Sequence, residues 1–355
     1  MTLIPCVQGG YFGTFVAATG IICLLIYWKQ ECGTTTYIPG LRYTSINDSR
    51  DETNDLGSRY QRTDQCSSHI SGCNAMLKFG LQYPNETWRP IDCQMHNYNY
   101  EEFSKYAKAM LNGTCPRRLS ILLIGDSRIR QLQIAIHRHV VNESYVNEWP
   151  ATNFCDRPDA NSLVWPNELL QACEFRRTFE QHNFVLERWW VPYNDYKTLH
   201  PRLSGLLSRN TSEIPAVIVL SAGVWFIRGC NLKQVPFGDC MLYFQRNLTL
   251  LVPVLESLSS RSAVLWAVQH PITWKPESDH MNEKQGIFND VSRQCLRGTS
   301  VHIWESYYQI HHMMAEKTDG LHFGPKGIKL MMQMLFNFVF HKAAVSDAAA
   351  CCTAN

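Results

Sequence analysis

The sequence predicts an α/β fold in which a mostly parallel sheet is covered by helices on both faces. Short apolar runs alternate along the chain with longer stretches of helical periodicity. This alternation is typical of strand–helix–strand units, whose connections make neighbouring strands parallel. The predicted strands are 119–124, 183–191, 215–220, 263–268 and 300–304, and the predicted helices are 127–140, 241–259, 284–296, 305–315 and 325–341.

Composition describes a globular protein. The 355 residues are 45% hydrophobic and 18% charged, and the formal net charge is +2. Disordered chains are less hydrophobic than this and carry more net charge. Because the charge is close to zero and no basic block is present, nucleic acid is not expected as a partner.

An uncharged apolar segment, YFGTFVAATGIICLLIYW at 11–28, predicts one transmembrane helix near the N-terminus. Its length of about 18 residues is near the minimum for crossing a bilayer, and aromatic residues stand at both ends. A cleaved signal peptide is the alternative, but the basic start and small-residue cleavage site typical of one are missing. A retained signal anchor is therefore favoured. The predicted organisation is a short tail at 1–10, the anchor at 11–28, a polar stem at 29–72, a folded domain at 73–342 and a C-terminal tail at 343–355.

Glycosylation sequons and cysteines indicate that the folded domain is lumenal or extracellular. Of the 14 cysteines, ten fall within the predicted stem and folded domain at 29–342, without the paired C-x-x-C spacing of zinc sites. Disulfides in an oxidising compartment are expected, with their pairing open, and no metal site is expected. Six Asn-x-Ser/Thr sequons suit a chain that meets the glycosylation machinery. They begin at Asn47, Asn85, Asn112, Asn142, Asn210 and Asn247.

A candidate nucleophile stands where the first long strand meets its helix. The sequence there is Gly125-Asp126-Ser127. Gly125 permits a tight turn, and Ser127 then falls at the helix N-terminus, where exposed N–H groups can hold an oxyanion. The alternative is that Asp126 or Ser127 only caps the helix.

A serine hydroxyl needs a base, and Asp319-Gly-Leu-His322 is the candidate. One loop would supply both an imidazole and the carboxylate that fixes its tautomer. The motif follows the last predicted strand, and parallel sheets place their sites at the carboxyl ends of strands. Ser127, Asp319 and His322 are therefore predicted to form a catalytic triad.

These two motifs together resemble the SGNH/GDSL hydrolase superfamily. More narrowly, Gly-Asp-Ser-Arg-Ile-Arg-Gln-Leu at 125–132 resembles the lumenal domain of the sialate O-acetyltransferases, which are related to PC-esterases and plant polysaccharide O-acetyltransferases. The similarity extends over roughly 73–352. Further matching stretches are Cys73-x-x-x-Leu77-x-x-Gly80, Trp88-x-Pro90-x-x-Cys93-x-Met95-His96-x-Tyr98, Val217-Ile218-Val219 with Trp225, Trp266-x-x-Gln269-x-Pro271, and Cys351-Cys352.

The resemblance implies a flavodoxin-like α/β/α sandwich of the SGNH type, with Ser127 as nucleophile, His322 as general base and Asp319 as its orienting carboxylate. It further implies a Golgi membrane protein with one span and a lumenal catalytic domain. The implied reaction transfers acetyl from acetyl-CoA, as a donor substrate with no bound cofactor, to a hydroxyl of sialic acid or another glycan. A carbohydrate O-acetyl esterase, or an inactive glycan-binding protein that keeps the fold, is the alternative.

The chain departs from the family pattern in two respects. The oxyanion-hole Asn of many relatives is missing after the strand at 215–220, which leaves Gly125, Asp126, Gly223 and Arg130 as oxyanion or substrate candidates. Family members also commonly continue into a multi-spanning C-terminal domain, so a multi-spanning partner or a missing domain is expected. Charge-assisted donors for an acceptor carboxylate are candidates at Arg130, Arg188 and Arg228, while Arg130 is alternatively a structural ion-pair residue.

Overall fold

The described part of the chain is built around a central sheet whose strands lie between Leu119 and Trp304. The computed structural model describes residues 77, 80–82, 88–90, 95–109, 118–143, 174–193, 195–272, 278–305 and 319–345. No helix within these ranges is long and apolar enough to cross a lipid bilayer. The predicted anchor at 11–28, the stem at 29–72 and all but the first residue of the helix predicted at 305–315 lie outside the described residues.

Within the described residues, six strands form the sheet, and every neighbouring pair is parallel except the pair at one edge. Taken in chain order, the parallel strands lie in the order 2-1-3-4-5, which is that of flavodoxin-like folds. The predicted α/β fold with a mostly parallel sheet is confirmed. The strands are β3 (Leu119–Gly125), β4 (Phe175–Phe179), β5 (Phe184–Trp190), β6 (Val217–Leu220), β7 (Ala263–Ala267) and β8 (His302–Trp304), in the order β4-β5-β3-β6-β7-β8; β1 (Gly80–Gln82) and β2 (Trp88–Pro90) form a separate antiparallel pair.

Helices cover both faces of this sheet. Side chains alternate along β3, so that Leu122 and Ile124 enter one apolar core while Ile121 and Leu123 enter the other. Burial on both faces explains why the strands are continuously apolar. Helices α3 (Tyr196–Leu207), α4 (Val224–Leu232), α5 (Phe237–Ser259) and α6 (Ser278–Cys295) contribute to the first core, and α1 (Tyr100–Ala109), α2 (Ser127–Val140) and α7 (Pro325–Val345) contribute to the second.

Every predicted strand is present with its ends shifted by no more than two residues. Helix α2 has the predicted bounds, whereas α5 begins at Phe237 rather than 241 and α6 begins at Ser278 rather than 284. Strand β4 was not predicted because its central residues are Arg176, Arg177 and Thr178, which are exposed at the edge of the sheet. Helices α1, α3 and α4 were not predicted either, and α3 contains a proline at position 201.

Gly125 closes β3 at a point where the backbone leaves no room for a side chain. A Cβ there would lie 2.7 Å from Ile129 Cγ1 and 2.8 Å from the carbonyl oxygen of Ser221. We expect Gly125→Ala to lower the free energy of unfolding by about 1–3 kcal/mol, because the neighbouring backbone would have to move. Urea denaturation measures this, with Gly205→Ala in α3 as control, since nothing lies within 4 Å of a Cβ at Gly205. Equal effects of the two substitutions would contradict the steric explanation.

Candidate active site

Ser127 is the first residue of α2, directly after the turn that ends β3. Its side chain is 3% exposed, and its Oγ lies 2.8 Å from Nε2 of His322. Capping of the helix is done by Asp126, whose Oδ1 accepts a hydrogen bond of 2.9 Å from the backbone N–H of Arg128. The Ser127 hydroxyl therefore serves the imidazole rather than the helix end.

The imidazole of His322 is oriented by Asp319. Nδ1 of His322 lies 2.5 Å from Oδ2 of Asp319, and Oδ1 of the same carboxylate accepts from the backbone N–H groups of Leu321 at 2.8 Å and His322 at 2.9 Å. A carboxylate only accepts, so the proton sits on Nδ1 and Nε2 is left to accept from Ser127. The structure thus brings together the three residues predicted as a triad, across 195 positions of sequence between Ser127 and His322.

The pKa values of the two aspartates of the site are shifted in opposite directions. Burial raises the pKa of Asp319, but the hydrogen bond and charge of His322 and the backbone N–H groups of His322 and Leu321 outweigh it, so that this pKa lies below its ordinary value. Asp319 is therefore a carboxylate at neutral pH and can stabilise an imidazolium. Burial raises the pKa of Asp126 above its ordinary value, against the opposing charge of Arg128.

Helix α2 positions the base as well as the nucleophile. The Gln131 side chain, one turn beyond Ser127, donates from Nε2 to the carbonyl oxygen of Phe323 and accepts from the Phe323 N–H at 3.0 Å. Both hydrogen bonds hold the residue that follows His322. One helix therefore fixes the distance between the hydroxyl and the imidazole.

Arg128 also connects α2 to the loop that carries His322. It belongs to the motif at 125–132, but this role was not predicted. It is 0% exposed, and its Nη1 donates to Gln269 Oε1 at 2.6 Å and to the carbonyl oxygen of His270 at 2.8 Å. Its Nε donates to the carbonyl oxygen of Leu321 at 3.2 Å. Arg128 therefore joins α2 to the segment that follows β7 and to the loop that carries His322.

Gln269 connects Arg128 to Ser221, the residue that follows β6. Its Nε2 lies 2.6 Å from the hydroxyl oxygen of Ser221, and that hydroxyl donates to the carbonyl oxygen of Ala267 at 2.8 Å. The backbone of Gln269 is held in turn by the Asn289 side chain through two hydrogen bonds of 2.9 Å. Sequence reasoning noted Gln269 only as part of a matching stretch, since nothing local indicates which buried partners it meets.

Gly223 lies at the carboxyl end of β6, as the N-cap of α4, with φ +153° and no side-chain cap. The loop that contains it adjoins the nucleophile turn, because the N–H of Ser221 donates to the carbonyl oxygen of Ile124 at 3.1 Å. Helices α2 and α4 thus both begin at the carboxyl edge of neighbouring strands. Helix N-termini at such an edge can stabilise an oxyanion.

The three candidate arginines occupy different environments. Arg130 is 2% exposed, with its guanidinium carbon 6.0 Å from the centroid of the Trp190 ring. Arg188 is also buried, and its Nη1 donates to Gln133 Oε1 at 3.3 Å. Arg228 is exposed, with its guanidinium carbon 5.1 Å from the centroid of the Trp225 ring. Arg228 is therefore the one among these three that faces solvent.

The predicted glycosylation sites need one correction. Asn142 and Asn210 are exposed, whereas Asn247 lies within α5 and is only 7% exposed. Its Oδ1 accepts from the Tyr196 N–H at 2.9 Å and its Nδ2 donates to the Tyr243 carbonyl oxygen at 2.8 Å. A glycan on Asn247 is incompatible with this packing. The sequons at Asn47, Asn85 and Asn112 lie outside the described residues.

The described ranges contain one disulfide bond. Cys230 of α4 and Cys240 of α5 form a disulfide, ten residues apart in sequence. It ties the C-terminal turn of α4 to the first turns of α5, which is consistent with folding in an oxidising compartment.

No family model matches the chain. N-acetylneuraminate (7)9-O-acetyltransferase from Danio rerio is 24% identical over 287 residues, or 79% of this chain. This chain spans 32% of the length of that relative.

Solved structures that match part of this chain include Axe2, an acetylxylan esterase from Geobacillus stearothermophilus. It is 13% identical, with a TM-score of 0.37 over 63% of this chain and 94% of that chain. A member of the lipolytic G-D-S-L family from Veillonella parvula is 13% identical, with a TM-score of 0.35 over 61% and 96% of the two chains. The resemblance to the sialate O-acetyltransferases, first indicated by the sequence motifs, is confirmed by a relative of that name that aligns with most of this chain.

Proposed function

We propose that this chain is an O-acetyltransferase that acetylates a hydroxyl of a sialic acid through an acetyl–Ser127 intermediate, with acetyl-CoA as the donor. The observation that carries the proposal is the hydrogen-bonded series Ser127–His322–Asp319, with distances of 2.8 and 2.5 Å. The name of the Danio rerio relative supports the choice of acetyl group and sugar. The proposed catalytic roles rest on this geometry.

In the first half-reaction, Ser127 Oγ attacks the acetyl carbonyl carbon of the thioester while Nε2 of His322 takes the hydroxyl proton. The negative charge that develops on the carbonyl oxygen is stabilised by N–H groups at the starts of α2 and α4, with Gly223 as the candidate donor of the second helix. The carbon–sulfur bond then breaks, and the imidazolium returns its proton to the departing thiolate. The product is acetyl–Ser127 and free thiol.

In the second half-reaction, His322 takes the proton of a sugar hydroxyl as that oxygen attacks the acetyl carbon of acetyl–Ser127. The bond to Oγ breaks, and the proton passes from the imidazolium to Ser127. Ionised Asp319 stabilises the imidazolium in both steps. Water in place of the sugar would make the same site an esterase, and exclusion of water from the acceptor position decides between the two outcomes.

The test uses the full chain with labelled acetyl-CoA, in the presence and absence of N-acetylneuraminate. Label on the sugar is the expected result. Release of free acetate alone would replace the transferase with an esterase. If neither product forms, the chain is an inactive protein that keeps the fold, and the proposal fails.

We also propose that the chain works in the Golgi lumen, anchored by residues 11–28 and glycosylated at Asn142 and Asn210. The exposure of these two side chains and the Cys230–Cys240 disulfide support a lumenal setting. The double variant Asn142→Gln, Asn210→Gln should show a smaller glycosidase-sensitive mobility shift than the wild-type chain, because two of the candidate sequons are removed. A wild-type chain that carries no N-glycan and is found at the cell membrane would contradict this setting.

Asp319→Asn should lower kcat by about 10³–10⁴-fold, because an amide in place of the carboxylate stabilises the wrong imidazole tautomer and no longer offsets the imidazolium charge. The measurement is acetyl transfer at saturating acceptor. Asp290→Asn is the matched control, since Asp290 has a side chain that is 75% exposed and pairs with Arg293 on the surface of α6. A kcat for Asp319→Asn within threefold of wild type would remove Asp319 from the mechanism.

A further inference from the structure

We propose that Trp225 and Arg228 of α4 form a binding site for the carboxylate of the acceptor sugar. The proposal rests on the proposed function and names the residues that select an anionic acceptor. Helix α4 begins at the carboxyl end of β6, the strand beside β3, and β3 leads into Ser127. The first turns of α4 are therefore at the edge of the sheet that carries the Ser127–His322 pair.

Trp225 supplies a hydrogen-bond donor that has no acceptor in the described part of the chain. Its side chain is 4% exposed, and its indole Nε1 is buried without a hydrogen-bond partner there. A buried N–H left in this state destabilises the fold, so each such group calls for an explanation. Because the nitrogen is covered, a ligand oxygen at this edge would satisfy it once the Trp225 side chain or its neighbours shift to uncover it.

Arg228 supplies the charge. It lies three residues after Trp225, which places both side chains on the same face of α4. The guanidinium carbon is 5.1 Å from the centroid of the Trp225 ring, and Arg228 forms no ion pair with a described carboxylate. Stacking on the ring restrains the guanidinium while its in-plane N–H groups remain available, and their spacing matches the two oxygens of a carboxylate.

Neither of the other two candidate arginines offers an exposed cation. Arg130 is buried beside Trp190, and Arg188 is buried and donates to Gln133. Helix α4 also begins without a side-chain cap, so its positive end adds to the attraction for an anion. A sialic acid carries an ionised carboxylate at neutral pH, which fits an arginine fork and an indole N–H.

The test measures binding to the full chain in a Ser127→Ala background, so that no acetyl transfer occurs. Titration calorimetry compares N-acetylneuraminate with its methyl ester, which lacks the negative charge. We expect the acid to bind roughly tenfold more tightly than the ester, and Arg228→Gln to remove that preference. Arg228→Lys should keep part of it through charge alone, and Trp225→Phe should reduce it while preserving the ring.

Arg297→Gln is the control, because Arg297 is exposed in the turn before β8. That turn lies at the amino end of the strand, whereas the active-site residues lie at the carboxyl ends of the strands. It should leave the acid-to-ester ratio unchanged. Failure of the acid to bind, equal binding of acid and ester, or an unchanged ratio in Arg228→Gln would overturn the proposal. If Arg228→Gln instead weakens binding of coenzyme A alone, the site holds donor phosphates and the proposal is also wrong.

Failure of this inference is separable from failure of the proposed function. Selective binding of the acid by an Arg228-dependent site, in a wild-type chain that transfers no acetyl group, would sustain the carboxylate site and refute only the catalytic proposal. If the wild-type chain transfers acetyl groups at a rate that does not depend on the acceptor's charge, the catalytic proposal stands and the carboxylate site is refuted.

Discussion

Ser127→Ala should lower kcat for acetyl transfer by about 10⁵-fold, because no other oxygen would form the covalent intermediate. The residual rate would come from the N–H groups at the starts of α2 and α4 and from substrate binding, which act without the nucleophile. The free energy of unfolding should change by only about 1 kcal/mol, since the substitution removes a single hydrogen bond to His322.

Two measurements separate this expectation from a general loss of structure. Mass spectrometry of the wild-type chain quenched during turnover should find the acetyl group on the peptide that contains Ser127, and the variant should lack it. Ser257→Ala, at an exposed position of α5, is the matched control and should retain full activity. Transfer by Ser127→Ala at a rate near wild type would eliminate the acyl-enzyme mechanism.

The juxtaposition of Ser127 and His322 was predictable because each motif follows a strand of a parallel sheet. The strand that ends at Gly125 and the Asp319–His322 motif were each recognisable from local sequence. Parallel strands place their carboxyl ends at one edge, so local features became neighbours across 195 positions between Ser127 and His322. Fold class and site location therefore followed from patterns that need no tertiary detail.

Features that depend on tertiary packing were not predictable in the same way. The Asn247 sequon is a local pattern, but the burial of its side chain depends on where α3 meets α5. The antiparallel edge strand β4 carries polar residues because solvent covers it, and polar residues give no strand signal. Arg128 stands in a motif that was noted, yet its complete burial depends on two loops from later in the chain.

The role of Arg128 gives the largest expected effect on stability: Arg128→Ala should lower the free energy of unfolding by about 3 kcal/mol and also reduce kcat. Truncation would leave Gln269 Oε1 and the carbonyl oxygens of His270 and Leu321 without this donor inside the protein. Each hydrogen bond from a charged donor contributes about 1.5–3 kcal/mol, and solvent or relaxation recovers part of the loss.

Activity should fall along with stability because Leu321 adjoins His322, and Arg128 restrains the backbone of that loop. Arg128→Lys should not restore either property, since a single ammonium cannot reproduce donors that point from Nη1 and Nε in two directions. Chemical denaturation and kcat at a temperature where the variant stays folded measure the two effects separately. Arg246→Ala, at an exposed position of α5, is the control and should change the free energy of unfolding by less than about 0.5 kcal/mol. If Arg128→Ala behaved like this control, the hydrogen bonds that join the two loops to α2 would be incidental, and the spacing of hydroxyl and imidazole would have to depend on Gln131 alone.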